Sequence, residues 1–338
     1  MRVVLLTGPG GDAQGWGDLK VTDAVAQAAE AAGHAPRVVW VENEADFRRC
    51  IDDTPFDILW SALYHISPNE RFVGSNEAEL WVADVLDERQ LPYIGSNSHC
   101  MRDMIDKSAT HRILAAAGVA VPANRTVRSG GDPSGIAYPA FVKPIGESRS
   151  VGISDDSVVE DEEQLRRQVS LIERQFNQPA LVEEFLPGLE YTSLVLGNGE
   201  HRECLPGRVG VEAKHYGRHR ILRADLRGVG LTKVTSAGEQ AEAVREITSR
   251  AAAAMSCRDH VRIDVKAGAD SRLRIIEVNG IPGLKPHKSW APQLYTLHHA
   301  SPAGEAEDYR RLIAQIIDSA ARRYGLPGPG RGGASRGS

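Results

Sequence analysis

The chain has 338 residues, 41% hydrophobic and 25% charged, with 40 basic against 45 acidic side chains and a net charge of −5. That length allows two or three domains with substantial cores, and the composition is that of an ordinary soluble globular protein. The mild acidity argues against a nucleic-acid or other polyanion partner, no apolar run is long enough to span a membrane, and Cys50, Cys100, Cys204 and Cys257 have neither metal-site nor redox-motif spacing, so reduced thiols and a cytoplasmic location are expected.

Residues 1–100 alternate short apolar runs with amphipathic stretches. Strands are predicted at 3–6, 38–41, 56–59 and 91–95, and helices at 19–32, closed by Gly33, at 44–51 and at 77–88. Such alternation predicts an α/β domain with a doubly wound parallel sheet. Gly8-Pro9-Gly10-Gly11 lacks the spacing of a dinucleotide fingerprint and reads as a loop at the carboxyl end of the first strand. A second unit, 101–186, is expected to hold helices at 111–117 and 161–175 and strands at 126–127, 140–144 and 180–184. A third, 187–325, opens with a strand at 190–196 and continues through an irregular His- and Arg-rich stretch at 201–233. A helix N-capped by Ser236 and running to 254 follows, then two strands, and a terminal helix at 305–324. Residues 326–338 have the Gly- and Pro-rich composition of a disordered tail.

The two late strands carry the most informative pattern. Arg262-Ile263-Asp264-Val265 and Arg274-Ile275-Ile276-Glu277-Val278-Asn279 both alternate, and Gly268-Ala269-Asp270-Ser271 between them reads as a hairpin turn. With the turn centred at Ala269 and Asp270, Ile263 lies opposite Ile276, and Val265 and Val278 join them on one apolar face. The other face gathers Arg262, Asp264, Glu277 and Asn279. Two carboxylates so close repel unless a cation sits between them, and hard oxygen donors suit Mg²⁺.

Other stretches suit a nucleotide. Lys143 ends a strand and opens the small-residue loop 145–154, whose backbone amides can cradle phosphate while the lysine adds a point charge; Lys107 can supply another. Glu183-Glu184-Phe185-Leu186 ends a strand with backbone groups for a purine edge and apolar side chains for its face, and Glu190 can reach ribose hydroxyls.

Taken in order, Asp106-Lys107, Val142-Lys143-Pro144, Ser150-Val151-Gly152, Glu183 to Leu186, Glu190, Glu212-Ala213-Lys214, Arg262-Ile263-Asp264-Val265, and Glu277-Val278-Asn279 with Pro282-Gly283 resemble the ATP-grasp superfamily, and within it the D-alanine–D-alanine ligase family. The likeness covers roughly residues 101–290. It implies an ATP-grasp fold of three α/β domains with ATP between the second and third. It further implies phosphate binding by Lys107 and Lys143, adenine at Glu183, Glu184, Phe185 and Leu186, and ribose at Glu190. Two Mg²⁺, with Mn²⁺ able to substitute, would sit on Asp264, Glu277 and Asn279. Lys214 would close over the γ-phosphate on a mobile segment, 201–233, that excludes water. Arg262 would stabilise the reacting oxygen, and Ser150 joins Arg262 and Lys214 as a catalytic candidate. A homodimer is the family's usual state.

The first-substrate side departs from that family. Its members carry a glutamate soon after the first strand's glycines to hold a substrate ammonium, and His-Gly and Gly-Glu-Asp-Gly segments after the third strand. Here Gly10-Gly11-Asp12-Ala13-Gln14-Gly15-Trp16-Gly17-Asp18 and Tyr64-His65-Ile66-Ser67-Pro68-Asn69-Glu70-Arg71 stand instead. Arg149 enters the phosphate loop, and Lys285 and Lys288 follow Gly283. These cations suit a substrate with an additional carboxylate. Arg149, Tyr216, Gly283 and Ser289 are the candidate substrate contacts. The expected activity is therefore an ADP-forming carboxylate–amine ligase that joins small-molecule amino acids through an acyl phosphate, other than D-alanine to D-alanine, in a specialised biosynthetic pathway. The alternatives are an authentic D-alanine–D-alanine ligase and an ATP-binding protein without turnover.

Overall fold

Three larger sheets carry the chain in the computed structural model, which describes residues 1–67, 73–74, 80–227 and 230–327. The first is parallel, in the spatial order Ala35–Trp40, Arg2–Thr7, Ile58–Ser61, Tyr93–Ile94. Its strand Arg2–Thr7 is inside the sheet and covered on both faces, which is why Val3 to Leu6 is uniformly apolar rather than alternating. Helix Leu19–Ala31 starts where the Asp18 carboxylate accepts from Val21 N, and helix Glu44–Asp53 where the Asn43 side chain accepts from Asp46 N. The helix expected from 77 begins only at Val82. Ahead of it Leu80–Trp81 pairs with His65–Ile66 as a small antiparallel ribbon. The start expected at 77–79 lies outside the described residues.

The second sheet is antiparallel, in the order Asn124–Val127, Ala180–Glu184, Ala140–Pro144, Val158–Val159. Helix Glu162–Phe176 covers it with Leu165, Val169, Ile172 and Phe176, spaced at helical intervals and all buried. Two helices precede this sheet where one was expected: Ser98–Ile105, capped by Asn97, and Lys107–Ala116, capped by Asp106. Both pack on the last strand of the third sheet, which sets Lys107 beside that sheet's polar face.

The third sheet is antiparallel, in the order Lys233–Ser236, Glu203–Gly210, Glu190–Leu196, His260–Ala267, Leu273–Asn279. The stretch 201–233 is therefore not irregular throughout. Pro206 masks the strand in the sequence, yet the edge strand pairs only with Gly207 to Gly210, so Pro206 sits where no partner needs its missing N–H. Ser236 ends that edge strand instead of capping a helix, and the helix itself runs Ala241–Ala254. Helix Trp290–His299 went unread because Pro292 looks like a breaker; in the first turn it is tolerated. The terminal helix Glu305–Tyr324 forms as expected and packs on helix Leu19–Ala31. Leu326, assigned to the disordered tail, packs against the main core, while residues 328–338 lie outside the described set. The cysteines are buried and unbridged, and among the described residues no helix is long and apolar enough to cross a membrane.

The hairpin gathers Arg262, Asp264, Glu277 and Asn279 as expected but in a different register. Arg262 pairs with Asn279, Ile263 with Val278 and Asp264 with Glu277; a bulge follows, after which Val265 pairs with Ile275. Ile275, not Ile276, thus joins Ile263, Val265 and Val278 in the core, and Ile276 is the extra residue of the bulge.

Candidate active site

Two cavities meet at one wall. A cleft of about 750 Å³ lies between the second and third sheets, and a wider cavity of about 1450 Å³ opens between the first and third. Lys107, Glu147 and Glu277 line both.

The cleft is built from strand ends. Lys143, near the end of Ala140–Pro144, sets its ammonium 2.9 Å from Glu183 Oε2 on the neighbouring strand and donates to the Ile276 carbonyl at 3.3 Å. That carbonyl belongs to the bulged residue, so the irregularity in the hairpin supplies an anchor for a buried lysine. Glu183 Oε1 is buried 3.5 Å from His111 Nδ1, without a hydrogen-bond donor closer than that. Lys107 is buried where the two cavities meet. Its Nζ donates to the Glu147 carbonyl oxygen and lies 3.5 Å from Glu277 Oε1. Burial lowers its pKa, Lys143 adds to that, and Glu277, Glu147 and Glu183 oppose it. Polyphosphate arriving between the two lysines would relieve their mutual repulsion. Phe185 and Leu186 supply apolar wall, with the Phe185 ring edge-on to His219 at 5.3 Å. Ile221 and Leu222 reach the cleft from the segment after Gly210, and Arg223 beside them meets Asp155 across it at 3.5 Å.

The polar face of the hairpin forms the far wall. Arg262 Nε and Nη2 donate to the two oxygens of Asp264, each at 3.0 Å, and its guanidinium stacks over the Trp290 ring at 4.9 Å. Burial opposes the arginine's charge, but Asp264 and Glu277 more than offset it, so its pKa is raised. Asp264 also accepts from Thr192 Oγ1 at 2.6 Å and from Asn279 Nδ2 at 3.3 Å. Tyr64 OH, reaching in from the loop after strand Ile58–Ser61, accepts from Gly280 N at 2.8 Å and Ile281 N at 2.9 Å and so fixes the turn that follows Asn279.

These donors fit a divalent cation delivered with a nucleotide. Among the described residues no cluster of three or more His, Cys, Asp or Glu side chains forms an all-protein cage. Mg²⁺ rarely uses one; it takes one or two carboxylates and completes its shell with phosphate oxygens and water. Glu277 lines the cleft with its carboxylate 3.5 Å from Lys107, and Asn279 donates through its nitrogen to Asp264, which leaves its amide oxygen able to face a cation.

The remaining candidates divide between the cavities. Ser150, Glu184 and Glu190 line the cleft, Glu184 with its carboxylate 3.3 Å from Arg274 and Glu190 with its own 3.3 Å from Lys266. Arg149, Gly283 and Ser289 line the second cavity, where Arg149 pairs with Asp12 at 3.0 Å. Lys214 and Tyr216 line neither. Lys214 is exposed beside Glu212 at 2.8 Å, and Tyr216 packs near Trp290 and Leu222. The sequence reading overlooked Lys266, although 262, 264 and 266 share a face of one strand. It also overlooked Glu147, whose buried carboxylate accepts from Val73 N and Gly74 N at 3.3 Å and ties the loop 145–154 to that segment.

Comparison with known proteins gives a consistent answer. Residues 131–318 match the family model described as D-ala D-ala ligase C-terminus. The chain is 30% identical over 269 residues to the D-alanine–D-alanine ligase of Desulforudis audaxviator, covering 77% of this chain and 82% of that protein. It is 27% identical over 329 residues to the corresponding enzyme of Aquifex aeolicus, covering 94% and 100%. The fold superposes on the D-alanine–D-alanine ligase of Bacillus anthracis complexed with ATP with a TM-score of 0.66, at 18% identity over 96% of this chain and 97% of that one.

Proposed function

Because the chain belongs to the D-alanine–D-alanine ligase family and is an ATP-grasp ligase that forms a C–N bond, we propose that it joins two amino acids other than D-alanine and D-alanine, through an acyl phosphate made at the wall between its two cavities. The supporting observation is that Lys107 and Glu277 face both cavities while Arg262 and Gly283 face only the second. A nucleotide on one side and a carboxylic acid on the other would meet there and nowhere else along the cleft.

In this reading the adenine lies against Phe185 and Leu186, and the phosphates run toward Lys143 and Lys107. Glu277, Asn279 and Asp264 would hold two Mg²⁺, which when bound supply neutralising charge to the phosphate oxygens. A carboxylate oxygen of the acid attacks the γ-phosphorus, the bond to the β-phosphate oxygen breaks, and ADP leaves. The acid now has a leaving group, which hydroxide never provides. Addition of an amine puts negative charge on the former carbonyl oxygen. The guanidinium donors of Arg262 not bonded to Asp264, together with the backbone amide of Gly283, would receive it. Water must be kept from the acyl phosphate, and the segment carrying Ile221 and Leu222 would act as the cover, with Lys214 as the residue it brings toward the γ-phosphate.

Two features favour a substrate pair other than D-alanine with itself. Gln14 is neutral, and both ends of its amide are occupied: Oε1 accepts from Tyr64 N and His65 N, and Nε2 donates to the His65 carbonyl. It offers no carboxylate to a substrate ammonium. Arg149, Lys285 and Lys288 add positive charge around the same cavity. The test is to incubate the protein with ATP, Mg²⁺ and a pooled panel of D- and L-amino acids and to identify the adduct by mass spectrometry. The expected result is a condensation product of a pair other than two D-alanines, with ADP and phosphate released only when an amine acceptor is present. D-alanyl-D-alanine formed faster than any other product would contradict it.

A further inference from the structure

The second cavity holds more positive charge than its own carboxylates occupy, and the excess lies on two exposed lysines. Near the shared wall Lys107 stands beside Glu277 and Arg262 is bound to Asp264; Arg149 on the rim is paired with Asp12. Lys285 and Lys288 line the same cavity, and among the described residues neither has a carboxylate within ion-pairing distance. The acids that might have served them are engaged elsewhere. Glu147 accepts from Val73 N, Gly74 N and the Gln178 amide, and Asp18 caps a helix through Val21 N.

The turn that carries both lysines is braced. Lys288 N and Ser289 N donate to the Lys285 carbonyl at 3.2 and 3.0 Å, and Lys285 N donates to Ser289 Oγ at 3.0 Å. Leu284 just before them is held at both polar ends: its N–H donates to the Trp16 carbonyl at 3.0 Å, and its own carbonyl accepts from Tyr309 OH at 2.9 Å. The backbone that carries these two exposed lysines is therefore held as one turn.

Resting on the ligase reading, we propose that the amine substrate is an amino dicarboxylic acid of the aspartate or glutamate class, and that Lys285 and Lys288 bind its two carboxylates. The order of the reaction decides which reactant meets them. The acid's reacting carboxylate must lie at the Lys107–Glu277 wall, and ATP fills the cleft beyond it. The amine can reach the acyl carbon only from the second cavity, with the rest of its body directed outward to Lys285 and Lys288. Its nitrogen forms the new C–N bond, the C–O bond to phosphate breaks, phosphate leaves with the electron pair, and the nitrogen gives up a proton.

The test uses the full chain with ATP and Mg²⁺ and pairs drawn from both hands of alanine, serine, aspartate and glutamate, reading ADP release and adduct mass. A dicarboxylic amine is expected to give the highest kcat/KM. Lys285→Ala combined with Lys288→Ala should lower the selectivity for that amine over alanine by about tenfold or more, the worth of one charge-assisted hydrogen bond, and should do so through KM. The corresponding double arginine variant should restore the selectivity. If alanine or serine is the preferred amine, or the selectivity is indifferent to loss of both lysines while ADP still forms, the assignment fails and the ligase reading stands. If no pair yields ADP, both fall together.

Discussion

Glu277→Gln is expected to lose ADP formation by about a thousandfold or more, several kcal/mol of transition-state stabilisation, with the fold intact. Glu277 lies opposite Asp264 in the hairpin and lines both cavities, so in the proposed mechanism its charge would bear on the metal, on the γ-phosphate and on Lys107 together. Glutamine keeps the shape and an oxygen within reach of Lys107 Nζ, now 3.5 Å from Oε1, and removes only the negative charge. Thermal unfolding should therefore shift little while turnover collapses and the Mg²⁺ dependence moves to higher concentration. Steady-state ADP release against Mg²⁺ concentration reads all of this. Turnover near the unmodified level would mean that the acidic patch is a structural ion network with no part in phosphoryl transfer.

Arg262→Ala should cost about 2.7–4 kcal/mol in kcat, the range found when a donor to a developing oxyanion is removed. It should also destabilise the protein by about 3–5 kcal/mol, because Asp264 is almost wholly buried and two of its hydrogen bonds come from this arginine. Arg262→Lys separates the two effects. It keeps the positive charge beside Asp264, so most of the stability should return, but it lacks the planar fork that can hold Asp264 and still present N–H groups to a reacting oxygen. A variant that is stable, binds ATP with near-normal affinity and remains deficient in kcat is the expected outcome. Full recovery of turnover by lysine would assign Arg262 to holding Asp264 alone.

Much of this was legible because the chemistry-bearing residues obey strand periodicity. Arg262 and Asp264, like Glu277 and Asn279, are two apart on their strands and must share a face whatever the register. The register itself was not legible. A bulge after Asp264 moves Asp264 opposite Glu277 and replaces Ile276 by Ile275 in the core, and both isoleucines satisfy the same apolar pattern. Pro206 and Pro292 hid a strand and a helix for one reason: proline is disruptive only where its N–H is needed, and neither position needs it. Tyr64 marks a third limit. Its hydroxyl meets Gly280 N and Ile281 N, more than two hundred positions away, and sequence spacing carries no signal for such a contact. The first-substrate side was informative by difference, since Gln14 stands in the stretch where the family carries a glutamate, and its amide bonds to the backbone of Tyr64 and His65.

The central claim is that a substrate carboxylate is phosphorylated where Lys107 and Glu277 join the two cavities. The direct measurement is oxygen transfer: the acid partner is labelled with ¹⁸O in both carboxylate oxygens, and the inorganic phosphate released is analysed by mass spectrometry. One labelled oxygen per phosphate, formed in step with the amide product, is the predicted result. Phosphate released without label would show that the carboxylate oxygen never bonds to phosphorus and would contradict the account.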